Sequence, residues 1–228
     1  MTIFWAGDST VRDNDRSTWP QAGLGQGFRP LLRSGVILDN RAENGRSTKS
    51  FLAEGRLEAI REEIAEGDFL FIQFGHNDEK REDPSRFTEP RGEFQTNLAL
   101  FVAAAREKGA RPVLITPLCR RHFGPGGKLL QDIHGDYPAA MRELADRMAV
   151  PCPDLYRASR ERIQEEGPEG SRRFFMNLEP GEYPLYPRGL EDNTHLRLEG
   201  AAVFAELLAR ELAALGGAFR EILKDPAF

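Results

Sequence analysis

The sequence is poor in cysteine, in long apolar runs and in excess positive charge. It has only two cysteines, Cys119 and Cys152, which are too few for a disulfide framework, so we expect free thiols. No apolar run approaches the roughly 20 residues that cross a bilayer. The 228 residues carry a formal net charge of −5, which argues against a general nucleic-acid partner. We therefore predict a protein with neither a membrane nor a nucleic acid as its partner.

The start of the chain leaves no room for a signal peptide. An apolar run rich in β-forming residues already occupies residues 2–6 and predicts a buried strand. A charged region, an apolar region and a cleavage site cannot precede it. On this basis we expect a cytoplasmic protein; the alternative is a leader that preceded this sequence and was removed.

Several motifs of other enzyme classes are also missing. The Gly-x-Ser-x-Gly elbow of ordinary α/β-hydrolases does not occur. The chain has no phosphate-cradling Gly-x-x-x-x-Gly-Lys-Ser/Thr, and no Gly-x-Gly-x-x-Gly follows the first strand. The histidines and cysteines do not have the spacing of a zinc site. These absences exclude the commonest nucleotide-binding and zinc-dependent classes.

What the sequence does contain is an alternation of strands and helices along one domain, residues 1–228. Hydrophobic residues make up 40% and charged residues 29%, as in ordinary globular proteins. We predict strands at residues 2–6, 35–40, 68–74, 111–118 and 150–155. Helical spacing favours helices near residues 25–34, 57–64, 88–108, 138–148, 156–166 and 199–215, with an irregular stretch from 167 to 191. This alternation predicts an α/β fold with a parallel sheet.

The tetrapeptide Gly7-Asp8-Ser9-Thr10 follows the first predicted strand. In an open α/β sheet, the carboxyl ends of the strands hold the active site, which makes Ser9 a candidate nucleophile. The competing interpretation is a helix N-cap, because Asp, Ser and Thr are the residues that cap helices.

Other polar groups follow neighbouring predicted strands. Gly45 and Asn77 come after the second and third strands and offer N–H donors which, with the N–H of Ser9, would form an oxyanion hole. Asp192 and His195 lie three residues apart before the last helix. On one irregular turn, Asp192 can accept from His195 Nδ1–H and leave Nε2 free to take the proton of Ser9.

Four ordered blocks carry a family resemblance: Gly-Asp-Ser-Thr, Asn-x-Ala-x-x-Gly-Arg-Ser-Thr, Gly-His-Asn-Asp and Asp-x-x-His. They resemble those of the SGNH (GDSL-type) hydrolase superfamily, and within it most closely the rhamnogalacturonan acetylesterase family of carbohydrate esterases. The resemblance runs over essentially the whole chain.

That resemblance implies a three-layer α/β/α sandwich with a five-stranded parallel sheet, the flavodoxin-like fold of SGNH hydrolases. It implies Ser9 as nucleophile, His195 as base and Asp192 as its orienting partner, with oxyanion donors from Ser9, Gly45 and Asn77. It also implies that no metal or organic cofactor takes part. The partner it implies is an acetylated oligosaccharide.

Residues near the predicted site have less specific signals. His76 either shapes the turn after the third strand or touches substrate. Arg120, Arg121 and His122 either contact an acidic sugar such as galacturonate or form a solvated basic loop. Trp19 either lines the cleft or packs a loop. We leave His134 and Asp78 unassigned, and the sequence does not indicate an oligomeric state.

Three functions are compatible with these residues. The first is a serine esterase that removes O-acetyl groups from pectin-derived oligosaccharides. The second is a short-chain esterase or thioesterase acting on non-carbohydrate esters. The third is a catalytically silent carbohydrate-binding module, against which the intact set of catalytic residue types argues.

Overall fold

A computed structural model describes residues 1–224 of the chain. Its main sheet has four parallel strands in the order β3–β1–β4–β5, so that β1 and β4 are central. A smaller antiparallel sheet has the order β2–β7–β6. The strands are β1 (Thr2–Gly7), β2 (Gln21–Ala22), β3 (Ile37–Asn40), β4 (Phe69–Gln73), β5 (Arg111–Leu114), β6 (Phe175–Leu178) and β7 (Leu190–Arg197).

Helices cover both faces of the parallel sheet. They are α1 (Leu24–Phe28), α2 (Thr48–Ala53), α3 (Arg56–Glu63), α4 (Gln95–Glu107), α5 (Tyr137–Met148), α6 (Leu155–Gly170), α7 (Leu198–Leu215) and α8 (Ala218–Ile222). Alternate residues of β1 point into two separate cores: Ile3 and Trp5 pack with α1, α6, α7 and α8, whereas Phe4 and Ala6 pack with α2 to α5. The predicted α/β fold with a helix-covered parallel sheet is confirmed.

The predicted fifth strand is wrong. The segment after α5 does run beside β5, because the N–H groups of Leu114 and Thr116 donate to the carbonyls of Pro151 (3.0 Å) and Pro153 (3.5 Å). A parallel strand must also donate in return, and Pro151 and Pro153 have no N–H. Only one direction of the ladder therefore forms, and the sheet stops at four strands.

Other boundaries differ where irregular backbone replaces a regular element. The predicted helix at 88–108 begins with a π-helical turn, Pro90–Phe94, ahead of α4. The helix predicted near residues 25–34 is shorter, because α1 ends at Phe28 and a 3₁₀ turn, Arg29–Leu31, follows it. The stretch predicted to be irregular up to residue 191 contains β6. The fourth strand ends at Leu114 rather than at residue 118.

Both cysteines are free thiols, as the sequence predicted. Cys119 is buried, and Cys152 is partly buried on the opposite side of the sheet. Within residues 1–224, no helix combines the length and the apolar character that crossing a membrane requires.

A close helix crossing joins the small sheet to the main one. Helix α1 follows β2 and helix α7 follows β7, and the two helices pack without a side chain at Gly27. A Cβ at Gly27 would lie 2.1 Å from the carbonyl oxygen of Ala201, which is backbone and cannot swing away. This crossing fixes the start of α7, and therefore the end of β7, against the main sheet.

We predict that Gly27→Ala lowers the free energy of unfolding by about 2 kcal/mol or more, because the added methyl forces the two helices apart. Urea unfolding measures the change. The control is Ser34→Ala, an exposed position just beyond the same helix, for which we expect almost no effect. Equal stability of the two variants would contradict the tight crossing.

Candidate active site

The carboxyl ends of the parallel strands open into one cleft of about 520 Å³. Ser9 follows β1, Gly45 follows β3 and Asn77 follows β4, and all three line this cleft. His195, from the bulged end of β7, lines it from the opposite side. A larger groove of about 780 Å³, between Glu79 and the start of α5, has no serine or cysteine among its lining residues. The chemistry expected from the sequence therefore belongs to the smaller cleft.

Three side chains in the cleft form a hydrogen-bonded relay. The Ser9 hydroxyl is 2.9 Å from His195 Nε2, and His195 Nδ1 is 2.6 Å from Asp192 Oδ2. Because a carboxylate only accepts, His195 carries its proton on Nδ1 and presents the lone pair of Nε2 to the Ser9 hydroxyl. This arrangement can draw the proton from Ser9 while Asp192 stabilises the charge that forms on the imidazole.

Asp192 also builds the turn that presents His195. Its other oxygen, Oδ1, accepts the backbone N–H groups of Thr194 (2.8 Å) and His195 (3.0 Å). The turn is a bulge in β7: Phe175 pairs with Leu196, but the next residue, Met176, pairs with Asp192. Burial alone would raise the pKa of Asp192, but the hydrogen bonds that it accepts from His195 and Thr194 outweigh this effect and hold the pKa below its usual value. The carboxylate therefore stays ionised.

Residues with N–H groups line the cleft at the strand ends, beside Ser9. Gly45 has a φ of +74°, a left-handed conformation that glycine adopts without strain. Within residues 1–224, neither the Ser9 nor the Gly45 backbone N–H donates to another protein group. The Asn77 amide is oriented from both ends: Nδ2 donates to Arg46 O (3.1 Å), and Arg86 donates to Oδ1 (3.3 Å). These donors are suited to a developing oxyanion.

The alternative interpretation of the first motif as a helix cap is not what the structure shows. No helix begins at Ser9; the N–H groups of Val11 and Arg12 turn back to the Asp8 carbonyl, a short 3₁₀ turn occupies Arg16–Thr18, and α1 begins at Leu24. The Asp8 carboxylate instead accepts the N–H and the hydroxyl of Thr10 at 2.9 and 2.8 Å. It thus holds the turn that exposes the Ser9 hydroxyl.

The two arginines expected near the substrate are engaged within the protein. Arg120 pairs with Glu79 and donates to the Thr194 hydroxyl (3.2 Å). Arg121 donates to the side chain of Asn193 (2.8 Å), and its own backbone N–H donates to the Asn193 carbonyl (2.9 Å). Both arginines therefore brace the turn between Asp192 and His195.

The remaining predicted contacts are distributed unevenly. His76 lines the cleft but is only 3% exposed, with Nδ1 3.5 Å from Asp8 Oδ2 and its ring edge-on to His134. His122 is exposed and does not line the cleft. Trp19 is 48% exposed and also lies outside the cleft lining, two residues before Gln21, which does line it. Within the described residues, no group of three His, Cys, Asp or Glu side chains is placed to hold a metal ion.

The model of the GDSL-like lipase/acylhydrolase family matches residues 6–203 of this sequence. The chain belongs to this family. The match spans the segments that carry Ser9, Gly45, Asn77 and His195. It confirms the resemblance that the four ordered blocks indicated.

Two curated relatives align over nearly the full chain of this GDSL-like protein. The rhamnogalacturonan acetylesterase RhgT of Bacillus subtilis is 46% identical over 216 residues, which cover 95% of this chain and 91% of that protein. The probable rhamnogalacturonan acetylesterase YesY of the same organism is 40% identical over 214 residues, covering 94% and 93%.

Solved structures share the fold of this GDSL-like chain. The crystal structure of YxiM from Bacillus subtilis superposes with a TM-score of 0.81 at 28% identity, and covers 95% of this chain but only 57% of YxiM. The acetylxylan esterase Axe2 of Geobacillus stearothermophilus has a TM-score of 0.65 at 14% identity, covering 99% and 97%. The Axe2 likeness concerns the fold alone.

Five residues that line the cleft were not singled out from the sequence: Gln21, Asn44, Lys80, Arg86 and Thr194. Lys80 and Arg86 lie in the charged loop after Asn77. The sequence shows that this loop is charged, but it does not show which of its side chains point into the cleft. Gln21 had no signal, since its place depends on the pairing of β2 with β7. Thr194 lies inside the Asp-x-x-His block, where its position alone would have suggested a role.

Behind the cleft of this GDSL-like protein lies a fully buried carboxyl group. Asp78 accepts from the Thr48 hydroxyl (2.5 Å) and the Thr88 hydroxyl (2.9 Å). Burial raises its pKa from 3.8 to about 7 against the opposing effect of these hydrogen bonds, and the nearby charge of Asp8 adds to the rise. The folded protein therefore holds a proton on Asp78 at pH values where the unfolded chain does not.

This proton predicts a pH dependence of stability. Between about pH 4 and pH 7 the folded state binds a proton that the unfolded state lacks, so the stability contributed by protonated Asp78 is lost as pH rises and is constant above pH 7. In Asp78→Asn this dependence disappears. The wild-type minus variant free energy of unfolding should fall by up to roughly 4 kcal/mol across that range. Urea unfolding at several pH values tests this, and a constant difference from pH 4 to pH 8 would contradict it.

Proposed function

We propose that this chain is a serine esterase that removes O-acetyl groups from rhamnogalacturonan oligosaccharides. The observation that carries the proposal is the 2.9 Å contact between the Ser9 hydroxyl and His195 Nε2 at the floor of an open cleft. Two relatives that align over more than nine-tenths of this chain are named for that activity, one of them as probable. The proposal assigns Ser9 as nucleophile, His195 as base and Asp192 as the residue that orients it.

The reaction proceeds by acyl transfer in two halves. Ser9 Oγ bonds to the ester carbonyl carbon while its proton moves to His195 Nε2, and the carbonyl π electrons become an oxyanion. The oxyanion electrons then re-form the carbonyl, the bond between the carbonyl carbon and the sugar oxygen breaks, and His195 gives its proton to that oxygen, which leaves an acetyl group on Ser9. Water then attacks the carbonyl carbon of the acetyl-serine and loses a proton to His195. The bond between that carbon and Ser9 Oγ breaks, His195 returns the proton to Oγ, and acetate is released.

The oxyanion is held by N–H groups of Ser9, Gly45 and Asn77. The backbone N–H groups of Ser9 and Gly45 have no other acceptor within the described residues, so they bind the oxyanion without first giving up a protein partner. Arg86 and the Arg46 carbonyl fix the Asn77 amide before substrate arrives. Donors that are already oriented need no reorganisation when the charge develops, which is where their catalytic advantage lies.

We predict that Ser9→Ala lowers acetate release from acetylated rhamnogalacturonan oligosaccharides by at least about 1,000-fold, because the nucleophile is removed. Acetate is assayed directly, beside acetylated xylan fragments and a simple aryl acetate. The exposed Ser34→Ala is the matched control, and near-ultraviolet circular dichroism checks that the Ser9→Ala chain is folded. Full activity in folded Ser9→Ala would exclude Ser9 as nucleophile.

The same panel separates the other two functions. Cleavage of the aryl acetate without release from either oligosaccharide would indicate a short-chain esterase or thioesterase with non-carbohydrate substrates. A catalytically silent binding module would cleave none of the three, and a phosphonate probe would not label Ser9. Release from the pectic sample alone supports the proposed substrate.

For Asn77→Ala we predict a fall in kcat on the order of 100-fold, since one oxyanion donor is lost while the relay to His195 stays intact. Asn77→Asp keeps the shape but places a carboxylate beside the oxyanion, so its kcat should be at least as low. Steady-state kinetics on the aryl acetate distinguish a loss in kcat from a loss in KM. An unchanged kcat in Asn77→Ala would rule out a role for its amide as an oxyanion donor.

A further inference from the structure

The charged side chains that line the cleft differ in whether the protein already neutralises them. Arg120 pairs with Glu79, and Arg86 Nε is 2.6 Å from Asp83 Oδ2. Asp192, the acidic residue of the lining, is bound to His195. Lys80 is different: within residues 1–224 no carboxylate or other polar group contacts its ammonium group. The cleft therefore presents one unneutralised positive charge.

The location of Lys80 relative to the reacting atoms is fixed by its loop. Lys80 lies three residues after Asn77, and its backbone N–H donates to the Asn77 carbonyl (3.3 Å). Its own carbonyl accepts the N–H of Asp83 (2.9 Å). The backbone at Lys80 is thus tied to the oxyanion donor, while the side chain stays free to meet a ligand. An anionic group bound by Lys80 would lie in the same cleft as the ester that Ser9 attacks.

The charge of the whole chain makes this local charge informative. With a formal net charge of −5, the protein repels an acidic polysaccharide at long range. A positive charge in the cleft offsets this repulsion where binding must occur, and it favours acidic over neutral ligands. Rhamnogalacturonan carries a carboxylate on each galacturonate, whereas acetylated xylan has a neutral backbone.

We propose that Lys80 is a specificity-determining residue that pairs with a uronate carboxylate of the substrate beside the acetylated sugar. The inference rests on the proposed function and deepens it by naming the group that reads the acidic sugar. Arg120 and Arg121 do not serve this purpose, because both already hold the turn before His195. Lys80 selects among acetylated carbohydrates, and Ser9 and His195 act on whichever is bound.

The test compares two substrates that differ only in charge. One is an acetylated rhamnogalacturonan oligosaccharide, and the other is the same oligosaccharide with its galacturonate carboxyls reduced to alcohols. The quantity measured is the ratio of kcat/KM for the acidic form to kcat/KM for the reduced form. For the wild type we expect a ratio of about two to five, the range of a partly exposed ion pair, falling as salt rises from 50 to 500 mM.

Substitutions at Lys80 should move this ratio in a graded way. In Lys80→Gln it should approach one and lose its salt dependence, and in Lys80→Glu it should fall below one. Lys80→Arg keeps the charge and should keep the ratio. Lys108→Gln is the matched control, since Lys108 is exposed at the end of α4, away from the cleft. A ratio that is near one in the wild type, or that is unchanged in Lys80→Gln, would overturn the proposal.

A binding measurement separates this proposal from the proposed function. Calorimetric titration of Ser9→Ala with the deacetylated acidic oligosaccharide and with its reduced form needs no turnover. If the acidic form binds more tightly, and Lys80→Gln in the same background removes the difference, the inference holds even if no acetate is released in the activity assay. If acetate is released equally from both forms and the two bind equally, the function holds and the role of Lys80 is wrong.

Discussion

The Asp192 carboxylate is the group on which the geometry of the site depends. One oxygen closes the turn by accepting two backbone N–H groups, and the other accepts the imidazole proton of His195. The residue that sets the tautomer of His195 therefore also sets its position. The shape of this turn therefore depends on the ionisation of Asp192, because protonating the carboxylate would weaken both the turn and the orientation of the His195 ring. The lowered pKa of Asp192 keeps both intact.

That turn would have little value if β7 were free to move against the main sheet. The small antiparallel sheet ties β7 to β2 and β6, and the crossing of α1 over α7 at Gly27 ties the small sheet to the core. Ser9 follows a strand of the main sheet and His195 lies in a strand of the small sheet, so the 2.9 Å contact between them joins the two sheets. Arg120 and Arg121 complete the link by reaching from the end of β5 to Thr194 and Asn193.

The sequence predicted what local pattern controls and missed what long-range pairing controls. Ser9, Gly45 and Asn77 were brought to one edge by the rule that parallel strands share a direction, which requires no knowledge of side-chain packing. The predicted fifth strand was wrong because its apolar pattern was given more weight than Pro151 and Pro153. These two prolines lack the N–H groups that a strand donates, which the sequence alone shows. Strands β6 and β7 were missed because β6 has only four residues and β7 is mostly polar, and the bulge between them breaks the regular pairing, so neither shows a clear alternation. The bulge also gives Asp192 and His195 their irregular turn.

The charge that the cleft presents to a ligand depends on which basic side chains are already paired within the protein, and not on how many basic residues the sequence contains. The sequence alone does not distinguish the basic residues Arg120, Arg121 and Lys80. Arginine is the better predicted partner for an acidic sugar, because its guanidinium group binds a carboxylate through two hydrogen bonds. That same property makes arginine useful for fixing protein loops, and here Glu79, Thr194 and Asn193 already occupy both guanidinium groups. A lysine, with a compact charge on a flexible stem, is less suited to bracing and remains available to a ligand. The basic side chain that is available to the substrate is therefore the one that has no partner within the described part of the protein.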